Sequence, residues 1–211
     1  MRILVCGAHG FIGSAICARL QQAGHIIIKG VRKASLKNEM EINFSADITE
    51  DVWINRLHQI DAVINAVGIL IEQGDQKFSN IHTLAPIALF AACAKVGIKR
   101  VLQVSALGAE QCDTPYFQSK LHADRFLQEQ KLEWQIIRPS VVYGDNADSS
   151  KMFRLLASLP ILPLPAGGKQ ILQPVHIDDL AEGVLKLMDQ SSDIHQIIPV
   201  VGNRTVSYRE M

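Results

Sequence analysis

Short runs of aliphatic and β-branched residues alternate along this chain with longer stretches whose apolar positions recur every three or four residues. The short runs fall at 2–6, 26–31, 42–45, 62–66, 101–105 and 135–138 and predict strands; the periodic stretches at 11–23, 50–57, 80–96 and 115–130 predict helices. The strand runs are short, rich in β-branched residues and separated by helices, which predicts helices on both faces of the sheet. Helices between successive strands then make the sheet parallel. Gly24 and Gly97 stand where the first and third helices should end, each just before the next strand.

Beyond Gly144 the rhythm loosens. A helix near 150–158, a proline-bearing run at 160–165 that reads as a stiff loop over the cleft, a strand near 171–175, a helix over 178–188 with Asp178 as its N-cap, and a strand over 196–200 complete the pattern. The expectation is an α/β fold: one Rossmann-type doubly wound parallel sheet over 1–211, with 144–211 forming a small C-terminal substrate lobe. Ser207 near the end reads as the N-cap of a helix just beginning, which predicts that the natural chain continues past Met211.

Composition narrows the picture. The 211 residues carry equal numbers of acidic and basic side chains, so no net field draws the chain to nucleic acid or to an anionic membrane. Membrane contact is expected only through a segment beyond the C-terminus, and the oligomeric state is left open. Cys6, Cys17, Cys93 and Cys112 form no CxxC pair or metal-ligand spacing, and three of them fall inside predicted elements. They read as reduced thiols, which makes the cytoplasm the default compartment. His176 with Asp178 and Asp179 lacks a third ligand, so no metal is expected; Trp53 and Trp134 read as packing residues.

The first candidate site is the turn Gly7-Ala8-His9-Gly10-Phe11-Ile12-Gly13, between a strand and a helix. Glycines there allow a tight turn and a close approach of backbone to phosphate, and the helix N-terminus offers unpaired N–H groups to an anion. Strand, Gly-x-x-Gly-x-x-Gly and helix together point to a dinucleotide. The second strand ends in Arg32 and Lys33, where a site for NAD would usually place an acid for the ribose 2′-hydroxyl. Cations favour a 2′-phosphate, so NADP(H) is expected over NAD(H), with His9 a further donor or merely an exposed loop residue. Asp47 could accept from an adenine amino group while Ile48 packs on the ring, or Asp47 or Thr49 could cap the next helix. Ala66, Val67 and Gly68 end the fourth strand, at the sheet edge where open α/β sheets hold ligands.

Tyr116 and Lys120 are one turn apart on a single helical face, with Asp113 or Thr114 as cap and Pro115 at the first position. A neighbouring ammonium favours the phenolate, so Lys120 is expected to lower the Tyr116 pKa and make it an acid–base group beside a nicotinamide. Ser105, ending the fifth strand, could orient the same substrate oxygen.

Gly7-x-x-Gly10-x-x-Gly13, Tyr116-Phe-Gln-Ser-Lys120, the run from Arg138 to Gly144 and the run from Pro174 to Leu180 occur in the order found in the short-chain dehydrogenase/reductase superfamily. The chain resembles its extended or atypical branch, and is similar to the group containing the nucleotide-binding accessory subunit of respiratory complex I and its bacterial relatives. The resemblance implies a nucleotide seat bordered by Pro139 and Val142, Lys120 holding the nicotinamide ribose, and a reductase, dehydrogenase or epimerase acting on a small-molecule carbonyl or sugar-like substrate. Through the complex I group it implies the alternative of a module that holds NADPH without turnover. Nothing in the sequence names the substrate.

Overall fold

The computed structural model describes residues 1–145, 165–189 and 194–210. The expected helix at 150–158 and nearly all of the proline run at 160–165 lie outside these residues. Seven parallel strands form the central sheet: β1 (Arg2–Cys6), β2 (Ile26–Val31), β3 (Glu39–Glu41), β4 (Ala62–Asn65), β5 (Arg100–Val104), β6 (Glu133–Pro139) and β10 (Gln196–Val200). Their spatial order is β10-β6-β5-β4-β1-β2-β3. The chain starts at β1, winds outward to β3, then returns to β4 on the other side. The reversal between β1 and β4 opens a crevice at the carboxyl edge, where such sheets take their ligands.

Alternate residues of each strand enter two cores. Leu4, Cys6, Val63, Val101 and Ile136 face one layer, filled by Trp53, Leu89, Phe90 and Leu127 from α2 (Glu50–Ile54), α3 (Ala85–Val96) and α4 (Pro115–Gln128). Ile3, Val5, Ile64, Leu102 and Ile137 face the other, filled by Ile16 and Leu20 from α1 (Phe11–Gln22) and by Leu180, Val184 and Met188 from α5 (Ile177–Asp189). Cys6, Cys17 and Cys93 are buried free thiols, and Trp53 and Trp134 are packed as expected.

Several local expectations are corrected. The third strand is Glu39–Glu41, three residues ahead of 42–45, because the Asp47 carboxylate and the Asn43 carbonyl fold 43–47 into a turn. The stretch 171–175 divides at Gln173-Pro174 into β8 (Ile171–Leu172) and β9 (Val175–His176), since proline cannot donate to a ladder. β8 pairs with β11 (Val206–Ser207), and β9 pairs with β7 (Val142–Tyr143). Asp178 lies inside the first turn of α5 and donates its N–H to His176 Nδ1, so it is not the N-cap. Ser207, the expected N-cap, ends a short strand and enters a turn in which its N–H and hydroxyl donate to the Glu210 carboxylate and its carbonyl accepts the Glu210 N–H. Of the described residues in 144–211, expected as a small lobe laid against the sheet, β10 extends the main sheet and α5 lies beside α1, joined by the Arg19–Glu182 ion pair at 2.6 Å.

The helix α1 leaves the sheet through a turn with no room for a side chain at Gly7 or Gly13. A Cβ on Gly13 would lie 2.1 Å from the Gly7 carbonyl oxygen, and Gly7 has φ +81°. Gly13→Ala should therefore lower the urea unfolding free energy by about 1–3 kcal/mol through overpacking; an unchanged midpoint would contradict the tight turn.

Candidate functional site

Three segments meet at the carboxyl edge. The first is the glycine turn. Gly10 starts α1 with extended backbone (φ −73°, ψ 165°) and no side-chain cap, and no acidic residue occupies the first turn. The leading N–H groups of α1 therefore have no carboxylate to neutralise them, and point where an anion would sit. The residues present fit a pyrophosphate: a left-handed glycine, a close approach of Gly13 to the Gly7 carbonyl that excludes a Cβ, and an uncapped helix start.

The second segment follows β4. The Ala66 N–H donates to the Cys6 carbonyl at 3.0 Å, so the chain beyond β4 lies directly beside the glycine turn. Buried Asn65 donates to Gln103 Oε1 at 2.8 Å and accepts the Val67 N–H at 3.2 Å, which fixes the exit of the strand. The third is the start of α4, with Thr114 in the N-cap position, without a side-chain bond, and Pro115 at the first helical position. A Cβ on Gly68 would meet Lys120 Nζ at 3.3 Å and His82 Nε2 at 3.6 Å, so the second and third segments touch. Gly144 closes on the first, its Cβ position 3.1 Å from the Phe11 ring; Pro139 is buried at the end of β6, and Val142 packs against the α1 side of the sheet.

The electrostatics at α4 differ from expectation. The Lys120 ammonium lies 5.8 Å from the Tyr116 ring centroid and donates to the Val104 carbonyl at 3.4 Å. Burial raises the Tyr116 pKa, where the Lys120 charge was expected to lower it. Burial pushes Lys120 down to about 8, with Asp124 opposing. Ser105 donates to Asp124 Oδ2 at 2.7 Å, so its hydroxyl proton points under the helix and not to the Tyr116 side.

Asp124 extends the Tyr116–Lys120 stripe by one further turn, a signal present in the sequence as the i, i+4, i+8 spacing. It is fully buried, and Arg138 reaches its Oδ2 at 3.1 Å while also pairing with Glu110 at 3.0 Å. Burial raises the Asp124 pKa, and Ser105, Arg138 and Lys120 oppose the rise. His82 is the other group that the sequence reading missed. It accepts the Ile69 N–H at Nε2 (3.0 Å), touches Ser119 Oγ through Nδ1 (3.0 Å) and stacks on Phe78 with centroids 5.1 Å apart.

On the other side of the glycine turn, Arg32 and Lys33 are exposed just after β2, and exposed His9 bonds Glu39 Oε1 at 3.0 Å. Glu39 also accepts from the Ser35 N–H, the Ser35 hydroxyl and the Leu36 N–H, which holds its carboxyl below the usual range. Asp47 caps no helix: its carboxylate takes the Asn43 N–H and pairs with Arg56, and Thr49 occupies the N-cap of α2 without a side-chain bond. Ile48 is 38% exposed beside it, an apolar surface open to a ring.

Residues 3–202 match the family described as NAD dependent epimerase/dehydratase. Subunit 9 of the NADH dehydrogenase [ubiquinone] 1 alpha subcomplex of Mus musculus is 24% identical over 86% of this chain and 51% of its own length. An epimerase family protein of Mycobacterium bovis is 26% identical over 79% of the chain and 55% of its own. The chain thus spans about half the length of these curated relatives. Among solved structures, UDP-glucuronic acid 4-epimerase from Bacillus cereus in complex with NAD superposes over all of this chain and 81% of that one, with TM-score 0.80 and 20% identity, which shows a shared fold. No helix among the described residues is long and apolar enough to cross a membrane.

Burial and the nearby Lys120 lower the His82 pKa to about 3, against about 6.5 in an unfolded chain. The unfolded chain then binds the extra proton between these values, so stability rises with pH across that window and is lost on acidification. The drop in Tm from pH 7 to pH 4.5 should be smaller in His82→Gln than in the unaltered protein; equal drops would contradict the buried neutral imidazole.

Proposed function

We propose, proceeding from the fact that this chain belongs to the NAD dependent epimerase/dehydratase family, that it binds NADP(H) and carries out oxidation–reduction or epimerisation of a small carbonyl or sugar-like substrate. The observation that carries this reading is the meeting of the uncapped glycine turn, the backbone at Gly68 and the Tyr116/Lys120 helix at one sheet edge. When bound, the coenzyme supplies or accepts the hydride.

The chain's own part is proton handling and orientation. A phenol whose pKa burial has raised keeps its proton at neutral pH. It suits donation from Tyr116 to a substrate oxygen gaining negative charge, followed by stabilisation of the phenolate by Lys120. Lys120, with a pKa of about 8, remains mostly charged at pH 7 and sits beside Gly68, where it can also donate to ribose hydroxyls. Arg32 and Lys33 favour a 2′-phosphate, with His9 as a third donor once it leaves Glu39. Asp47 and Ile48 line the adenine end.

A second reading has one observation in its favour. Ser105 donates to Asp124 under the helix, so its hydroxyl is not turned to the Tyr116 side in this structure. That suits a module holding NADPH within a larger assembly; the mouse relative is by its name a subunit of one.

A panel of aldehydes, ketones and nucleotide sugars, followed by NADPH absorbance and product analysis, separates the two. The enzymatic reading expects turnover with some member, and a fall of at least about a hundredfold in Tyr116→Phe with NADPH affinity kept. Retained turnover in Tyr116→Phe contradicts it, and tight NADPH binding without oxidation across the panel favours the second reading.

A further inference from the structure

The segment that follows β4 turns away from the sheet at Gly68 and soon loses its packing: Leu70 and Ile71 are 71% and 80% exposed. At Ile69, just before these, the segment is held by a histidine from another element. We propose that His82 is a positioning residue of the nucleotide site. As a neutral imidazole it ties the backbone at Gly68–Ile69 to the helix bearing Tyr116 and Lys120, and so presets the seat of the nicotinamide half. This inference rests on the dinucleotide reading above.

The hydrogen bonds run in one direction only. The Ile69 N–H can only donate, so His82 Nε2 accepts and carries no proton. The single proton of Ser119 Oγ goes to the Tyr116 carbonyl, 2.8 Å away, so Ser119 accepts from His82 Nδ1–H. One neutral tautomer satisfies both bonds, whereas a doubly protonated ring would turn an N–H against the Ile69 N–H. The ring is clamped as well as bonded, stacked on Phe78 and meeting the Tyr116 ring edge-on at 5.5 Å. Thr83 adds a second tie, its hydroxyl donating to the Ser119 carbonyl at 2.8 Å.

Local sequence explains why this histidine points inward. Residues Ser79–Leu84 form a π-helical turn leading into α3, in which the Ala85 N–H bonds the Asn80 carbonyl five residues back. Pro86 has no N–H to give the His82 carbonyl four residues earlier, and its ring would clash with that carbonyl in an ordinary α-helix. The wider turn relieves the clash, and such turns are frequent at functional sites. The imidazole thereby bridges the loop after β4, the π turn and α4, with Lys120 close by at Gly68.

Calorimetric titration of the whole chain with two probes tests this: NADPH (or NADH, if that binds tighter) and the matching adenosine half without nicotinamide, 2′,5′-ADP or ADP. His82→Phe keeps an aromatic ring without an acceptor. It should weaken the dinucleotide by about tenfold, the loss expected when a buried donor loses its partner, while the adenosine half binds within about twofold of its normal affinity. His82→Gln can accept from Ile69 and donate to Ser119, and should recover most of the loss. Equal weakening of both probes, or of neither, overturns the inference alone; wild-type protein that binds neither probe overturns the dinucleotide reading and this inference with it. If His82→Phe does not fold, imidazole ¹⁵N shifts of the unaltered protein decide: a neutral Nδ1–H tautomer from pH 5 to 7 is expected, and an Nε2–H tautomer or titration near pH 6.5 overturns the proposal.

Discussion

The carboxyl edge of this sheet depends on how closely backbone lies against backbone at the crossing from β1 to α1. With the Ala66 N–H bonded to the Cys6 carbonyl and no Cβ able to stand between Gly13 and the Gly7 carbonyl, the first turn of α1 is pressed to the switch point of the sheet. Parallel pairing of β1 with both β2 and β4 then carries Arg32 to one side of that turn and Gly68 to the other. An extended ligand with an anionic centre is the shape such an edge accepts, because the uncapped helix start lies in its middle.

A second constraint lies beneath α4. Asp124, Arg138 and Ser105 form a buried polar cluster linking α4 to the ends of β5 and β6, within reach of the Lys120 charge. Burying ionic groups is costly, and Asp124 Oδ1 and Arg138 Nε have no hydrogen-bond partner among the described residues. The cluster therefore does little for stability by itself. Its geometric effect is to fix how deep α4 sits, and hence where the Tyr116 ring stands relative to Gly68 and His82.

Much of the fold could be read from the order of apolar runs, because a two-sided parallel sheet leaves continuous β-branched strands and glycine-terminated helices in the sequence. The edges were harder. β3 is a three-residue edge strand, and the apolar run behind it, Ile42 and Phe44, is core packing on a turn, a distinction that periodicity cannot make. The place of β10 beside β6 was not legible, because nothing local shows which edge of the sheet a strand after α5 joins. At the site, the glycine turn and the Tyr/Lys pair were legible because their spacing is local. His82 was not, since its role comes from contacts with Ile69 and Ser119 in distant segments; the Pro86 that shapes its turn was the visible trace. The sign of the Tyr116 shift was also hidden, because a one-turn spacing says that two side chains are neighbours but not that burial outweighs their attraction.

The central claim is that this edge seats a dinucleotide, with its phosphates on the glycine turn and its nicotinamide half by Gly68. Backbone amide NMR during titration with NADPH and with NADH reads it directly. The account predicts saturable shifts at Gly10, Phe11, Ile12 and Gly13 together with Gly68 and Ile69, tighter for the 2′-phosphorylated form, with Arg32 and Lys33 responding to that form alone. Shifts confined to one of the two loops, or none with either nucleotide, would contradict it.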